Sequence, residues 1–280
     1  MTVLAVPTAL VRRRRTLAYG VAALLSVLAV VVGASLVSAS AGTTHLDRIL
    51  EAPSWAHPMG TDWLGRDVAS RVLVGLRLSL GVGVLASVGS TLIALAFAAL
   101  AATFGRGVDA AITWLVDLFL AVPHLVLLIL ITFALGGGTS AVVLAVALTH
   151  WPSLTRVLMA QGRVVASTDY VAVSRGLGHG RGHVAVRHVL GHLVPQALVG
   201  GVLLFPHAIL HEAALSFLGL GVDPGQPAVG VLLRDSMRFL STGQWWLALL
   251  PGLCLLVLVK LIDTIGENVR ILTDPRSHHA

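Results

Sequence analysis

Long, predominantly apolar runs, interrupted by scattered polar positions, alternate along this chain with shorter polar blocks. The apolar runs fall at about 17–39, 78–104, 109–135, 140–162, 195–219 and 245–266. Each approaches or exceeds the roughly 20 residues a helix needs to cross about 30 Å of hydrocarbon. Membrane-barrel strands are instead about 10 residues of alternating polarity, and no such alternation runs through stretches such as VAALLSVLAVVVGASLV. The pattern predicts an all-α, polytopic membrane protein with about six transmembrane helices.

The polar blocks divide the chain into a basic N-terminus (1–16), a first transmembrane helix (17–39), an outer segment (40–77), a membrane core (78–276) and a short tail (277–280). In the outer segment, Pro and Gly give way to an amphipathic run that reads as an interfacial helix feeding the second span. Within the core, residues 163–194 place Gly176, Gly178, Gly180 and Gly182 between two short helical patterns. A helix, a glycine turn and a second helix suit docking against another protein.

Composition agrees: 56% of residues are apolar and 11% charged, against roughly 25% charged in soluble domains. The single cysteine, Cys254, lies inside an apolar run and excludes a disulfide framework or a cysteine-rich metal site. A net charge of +6 raises nucleic acid as a partner, but no aromatic-interleaved basic patch exists to stack bases. The arginines fit membrane topology better. Arg12 to Arg15 precede the first run and place the N-terminus in the cytosol, and six crossings return the C-terminus there. Arg106, Arg156, Arg163, Arg175, Arg181, Arg187, Arg270 and Arg276 then share the cytosolic side. A cleaved signal peptide is the weaker reading of the first run, which is long for one and whose loss would spoil this parity.

Ionisable residues within the apolar runs are the candidates for chemistry, because a polar side chain in hydrocarbon costs roughly 2.5–3.5 kcal/mol on insertion scales and is kept where it faces a cavity or a partner helix. His207 and His211 are i, i+4 and share a helix face; His150 precedes Trp151 and Pro152, and His124 follows Pro123. Up to four imidazoles thus approach one path, and imidazole suits Ni, Zn, Cu and Co. For a lone histidine the bland reading is a core residue bonded to a neighbouring helix. Glu212 reads as structural, and Lys260 and Asp263 as an i, i+3 pair or a snorkelling lysine. His179, His183, His188 and His192 read as polar filling of the inner loop, and His278 and His279 are undecided.

Several segments together resemble the inner-membrane permease subunits of ATP-binding-cassette importers of the dipeptide, oligopeptide and nickel group. HPMGTDWLGRDVASRVLVGLRLSL (57–80) is similar to that family's outer-loop signature, and DLFLAVP (117–123) to the start of its third helix. SRGLGHGRGHVAVRHVLGHLVP (174–195) resembles its ATPase-docking loop. ALSFLGLGVDPGQPAVGVLL (214–233), WWLALLPGL (245–253) and DPR (274–276) resemble its C-terminal third. The resemblance implies a type I importer permease in a bacterial cell membrane. It implies a second permease as heterodimer partner, a pair of ATP-binding subunits and an extracytoplasmic solute-binding protein.

The chain has no GxxxxGK[ST] phosphate loop, so ATP is expected to be used by the partners and no cofactor bound by this chain. In the docking loop, Gly178, Arg187, His188 and Pro195 match the family's pattern. Its Glu-Ala-Ala element is replaced by Ala172, Val173 and Ser174, which leaves docking to helix shape and to Arg175, Arg181 and Arg187. His-Trp at 150–151 and HAILH at 207–211 resemble the nickel-transporting branch. The expected path residues are therefore His124, His150, His207 and His211, and the expected cargo is nickel or another metal or metal chelate, with di- or oligopeptides as the alternative.

Two other classes compete. An intramembrane metallohydrolase is suggested by H-x-x-x-H-E at 207–212, but a zincin needs H-E-x-x-H, with the carboxylate between the histidines. A passive membrane scaffold would need neither the buried polar residues nor the inner helix-turn-helix.

Overall fold

The computed structural model describes residues 8–273, with side chains for 17–272. The side chains of Arg12 to Arg15, the segment 274–276 and the tail with His278 and His279 lie outside the described residues. Among the described residues the fold is all-α: ten α-helices, short 3-10 and π turns, and no strand beyond an isolated bridge between Thr61 and Asp67. Five helices are long and apolar enough to span a membrane, and a bent pair raises the number to six if it counts as one span.

Two compact units divide the chain: one of residues 1–81 with 213–280, the other of 82–212. In the first, α1 (Thr8–Val37) packs along α10 (Trp246–Thr273). Gly20 lies against the Asn268 side chain, while Leu24, Leu25, Leu28 and Val32 stay exposed. Lipid tails are as apolar as leucine, so those side chains lose nothing by facing hydrocarbon. Helix α2 (Val68–Thr103) is continuous over 36 residues, about 54 Å at 1.5 Å per residue. The amphipathic run before residue 78 is therefore the opening of α2 and not a separate interfacial helix. Two of its arginines are bonded elsewhere in the unit: the exposed Arg77 donates to Ser35 Oγ (3.1 Å) and the buried Arg71 to Asp62 Oδ2 (2.5 Å).

The segment ahead of α2 holds a polar knot. Asp62 Oδ1 accepts from the Leu64 and Arg66 amides (2.9 and 3.0 Å), and Oδ2 from the Arg66 and Arg71 guanidiniums (2.8 and 2.5 Å). Arg71 is only 2% exposed, so its charge is held by Asp62 and not by water. Gly65, at φ +69°, runs against the His45 carbonyl, where any side chain would collide. Asp67 caps α2: its Oδ2 accepts from the Ser70 amide (2.8 Å) and hydroxyl (2.7 Å), and Oδ1 pairs with His57 Nδ1 (3.0 Å).

Later in the same unit, α8 (Leu190–Phe217) ends in a glycine-rich turn and α9 (Val229–Ser236) packs on α10. Gly230 lies directly on the Ala213 carbonyl and the Ser216 side chain.

In the second unit, α5 (Gly138–Ala166) is the central and most buried span. Trp151 sits edge-on to Phe97 (4.9 Å between centroids) and against Phe119 (5.2 Å). Small residues bring backbones together: Gly162 faces Ala102, Gly200 faces Leu154, and Ser90 Oγ donates to the Ala147 carbonyl (2.8 Å). The apolar run 109–135, expected as one span, is two helices: α3 (Arg106–Ala121) and α4 (His124–Ala134), bent by 96°. Pro123 is the cause. It has no N–H to continue the ladder and bars the preceding residue from helical geometry, and Val122 is accordingly extended (φ −85°, ψ 134°).

Three outcomes test this architecture. Asp62→Asn strips the buried Arg71 of its counter-charge and should destabilise the chain by about 3–5 kcal/mol, read as a lower Tm in detergent with faster amide exchange over residues 60–71. Gly230→Ala drives a methyl into the Ala213 carbonyl and should cost about 1–3 kcal/mol in the same assay. Burial pushes the Asp67 carboxyl up, but bonds from Ser70 and His57 outweigh it and hold the group below the usual carboxylate range. Its contribution is full above the unfolded value near ~3.9 and is lost as pH falls through the lowered native value. Ser70 amide protection should collapse in that acid window, and Asp67→Asn should flatten the response.

Candidate functional site

The break at Pro123 makes His124 the first residue of α4 and turns its ring toward α5 and α8. There it meets His150, half-way along α5, and His211, near the end of α8. The imidazole centroids lie 4.5 Å apart for His124 and His150, 4.7 Å for His124 and His211, and 5.0 Å for His150 and His211. Each ring offers a nitrogen within 4.8 Å of the others, and among the described residues no other such group of three histidine, cysteine or carboxylate ligands occurs.

The backbone sets the tautomer of the most buried member. His150 Nδ1 lies 3.0 Å from the Val146 carbonyl. A carbonyl only accepts, so Nδ1 carries the proton and Nε2 is left with a free lone pair. The buried Nε2 atoms of His150 and His124 find no hydrogen-bond partner among the described residues. His207 stands one turn before His211, is exposed, and bonds weakly to the Leu203 carbonyl (3.4 Å). The four expected imidazoles thus resolve into a group of three and one neighbour. Glu212 is fully buried beside His211, and Lys260 pairs with Asp263 at 2.7 Å on an exposed face.

The segment 163–194 forms an elbow. Helix α6 (Asp169–Gly176) ends at Gly178 (φ +87°), with the His179 amide donating to the Ser174 carbonyl (3.2 Å) and the Gly178 amide to the Arg175 carbonyl (2.9 Å). That pair of bonds is a Schellman stop, which requires the left-handed conformation glycine accepts. The chain restarts at the short α7 (Arg181–His183) and passes through a π-helical stretch, Val184–Val189, into α8. The arms are fastened by buried Val171, Val184 and Val189 and by a bond between His188 Nε2 and Ser174 Oγ (3.0 Å). Arg181 donates to the Phe104 carbonyl (3.1 Å), which ties the second arm to the end of α2.

Arg175 and Arg187 are exposed. So are three apolar side chains that the sequence reading passed over: Val173 (62%), Leu177 (75%) and Val186 (68%). The available signal was an apolar residue set directly beside a turn glycine, as Leu177 is beside Gly178. His179 and His183 stack at 4.1 Å on the outside of the turn.

The described residues 90–270 match the family model of the binding-protein-dependent transport system inner membrane component. A putative peptide permease protein of Brucella suis is 38% identical over 227 residues, covering 81% of this chain and 75% of the relative. A putative peptide transport system permease protein of the same species is 33% identical over 265 residues, covering 94% and 89%. A dipeptide transport system permease protein of Alkalihalophilus pseudofirmus is 32% identical over 241 residues, covering 86% and 79%.

His188→Ala removes the side-chain bond between the arms of the elbow. It should cost about 1 kcal/mol locally, seen as faster amide exchange over residues 181–189 with the Tm of the whole chain nearly unchanged.

Proposed function

We propose that this chain, which belongs to the family of binding-protein-dependent transport system inner membrane components, forms half of the import path for short peptides. It is a multi-pass inner-membrane transport component and not an enzyme; ATP hydrolysis belongs to partner subunits. Its expected partners are a second permease, ATP-binding subunits and a solute-binding protein. The N- and C-termini belong in the cytosol on the arginine distribution, which puts the elbow at 163–194 on the side where ATP is found.

The cargo assignment rests on the relatives, whose names are those of peptide and dipeptide permeases at 81–94% coverage of this chain. Those names favour peptides over nickel, the reverse of the order the histidines alone suggest. A metal or metal chelate is the second reading, favoured by the grouping of His124, His150 and His211.

Coupling would run through the elbow. Val173 on α6 and Leu177 at its C-cap are i, i+4 and exposed, as are Val186 on the second arm and the side chains of Arg175 and Arg187. Exposed apolar side chains on both arms, with two exposed arginines on the same elbow, suit a groove on a partner protein. They also supply the contact that the missing Glu-Ala-Ala element does not.

The test is uptake into vesicles carrying the whole transporter, with binding protein outside and ATP within. A labelled dipeptide should accumulate only with ATP. Leu177→Asp should reduce that uptake at least about tenfold, corresponding to ~1.4 kcal/mol of lost docking, while the complex of the two permeases still assembles. Normal uptake by Leu177→Asp would overturn the coupling assignment, and transport of nickel or cobalt without any peptide would overturn the cargo.

A further inference from the structure

We infer that His124, His150 and His211 bind one late first-row divalent transition-metal ion and leave a coordination position open to a donor atom of the transported molecule, so that the path accepts short peptides or small chelators in metal-complexed form. The inference rests on the permease reading above and narrows its cargo.

Three observations carry it. The rings come from three separate helical segments, α4, α5 and α8, and still converge with ligand nitrogens within 4.8 Å of one another. On a tetrahedral ion with nitrogens at about 2.0–2.1 Å those atoms would stand ~3.3 Å apart, so modest side-chain rotation closes the set. The second observation is the tautomer. Val146 O takes the Nδ1 proton of His150 at 3.0 Å and points a basic Nε2 into the group, the arrangement in which a backbone carbonyl orients a metal-binding histidine. The third is the unpaired state of the buried Nε2 atoms of His124 and His150, which no described side chain or backbone group satisfies. An unmet buried polar atom is unfavourable, and a cation bound by both lone pairs removes the penalty.

The ligand set also decides the class of ion. Three neutral imidazoles suit nickel, zinc, copper or cobalt and not magnesium or calcium, which take oxygen. With no thiolate or carboxylate in the group, the bound ion keeps its full positive charge and draws an anionic or amine donor to its open position. Three protein ligands plus an exchangeable fourth is the composition of an open site. A closed four-ligand cage would hold the ion too well for a path that must release it.

The experiment uses the full transporter in lipid nanodiscs, in a background where His179, His183, His278 and His279 are alanine, so that the outer face of the elbow and the tail do not scavenge metal. Titration with Co2+ should give the visible d–d absorption of a low-coordinate nitrogen site, saturating at one ion per copy of this chain. His124→Ala, His150→Ala and His211→Ala should each weaken binding at least about tenfold. His150→Gln keeps a similar size without the aromatic nitrogen and should behave like the alanine variant, which separates ligand loss from a packing defect. Complex assembly is followed by gel filtration.

Absence of the absorption, or its persistence in assembled His150→Gln complex, would overturn the site. Dipeptide uptake measured on the same preparations separates the two readings. Uptake without Co2+ binding removes the metal inference and leaves the peptide assignment, whereas Co2+ binding without dipeptide uptake does the reverse.

Discussion

Hydrocarbon offers a polar group nothing to bond with, so each one inside a membrane helix must find its partner within the protein. The side chains of this chain obey that constraint in graded ways. Hydroxyls turn back on their own helices, as Ser87 does to the Gly83 carbonyl and Thr155 to the Trp151 carbonyl. Guanidiniums pair with carboxylates, as Arg163 does with Asp109 at 2.7 Å and Arg156 with Asp117. Imidazoles find one another. His150 spends one nitrogen on the Val146 carbonyl and turns the second toward His124 and His211. At the imidazole group these solutions stop: two of its buried nitrogens, like Thr132 Oγ1 on α4 and Trp246 Nε1 on α10, are met neither by backbone nor by another side chain among the described residues.

The same constraint explains why a proline can be placed where it is. Breaking the helix at Val122 and Pro123 frees backbone groups that in lipid would be costly, and the amides of Val126 and Leu127 answer by donating to the Pro123 carbonyl at 3.0 and 3.1 Å. The bend gives His124 a position at a helix start, with a direction of approach that an uninterrupted helix from 109 to 135 would not provide. Local backbone chemistry at one residue therefore builds one corner of the candidate site.

Much of this was legible in the sequence. Apolar runs of helix length gave all-α spans, and the cluster of glycines at 176–182 gave the elbow, because both signals are local. The bend in 109–135 was less so, since proline interrupts many membrane helices without turning them; Pro152, Pro195, Pro206 and Pro251 all lie inside continuous helices here. The amphipathic start of α2 was misplaced for a related reason. Arg71 looks like part of an exposed polar face until Asp62, folded back from the chain ahead of α2, is seen to pair with it in a buried position, whereas Arg77 stays exposed and bonds to Ser35. Membership of the imidazole group was half visible: the i, i+4 spacing paired His207 with His211, but which of them meets His150 depends on the rotation of α8, and no spacing rule fixes that.

Relatives named for peptides and a group of three imidazoles that could hold a metal ion are not in physical conflict. A peptide is a chelator, with an amine and carbonyl oxygens that bind late transition metals, and a carrier for one is already chemically close to a carrier for the complex. What separates them is the wall of the path. A wall of apolar and hydroxyl side chains would treat a bound cation as a buried charge to be excluded, at a cost of several kcal/mol. Three neutral imidazoles would replace part of its hydration with nitrogen lone pairs and lower that barrier. Because they contribute no opposing charge, they would do so without forming a trap, and an ion could leave with the molecule that carried it.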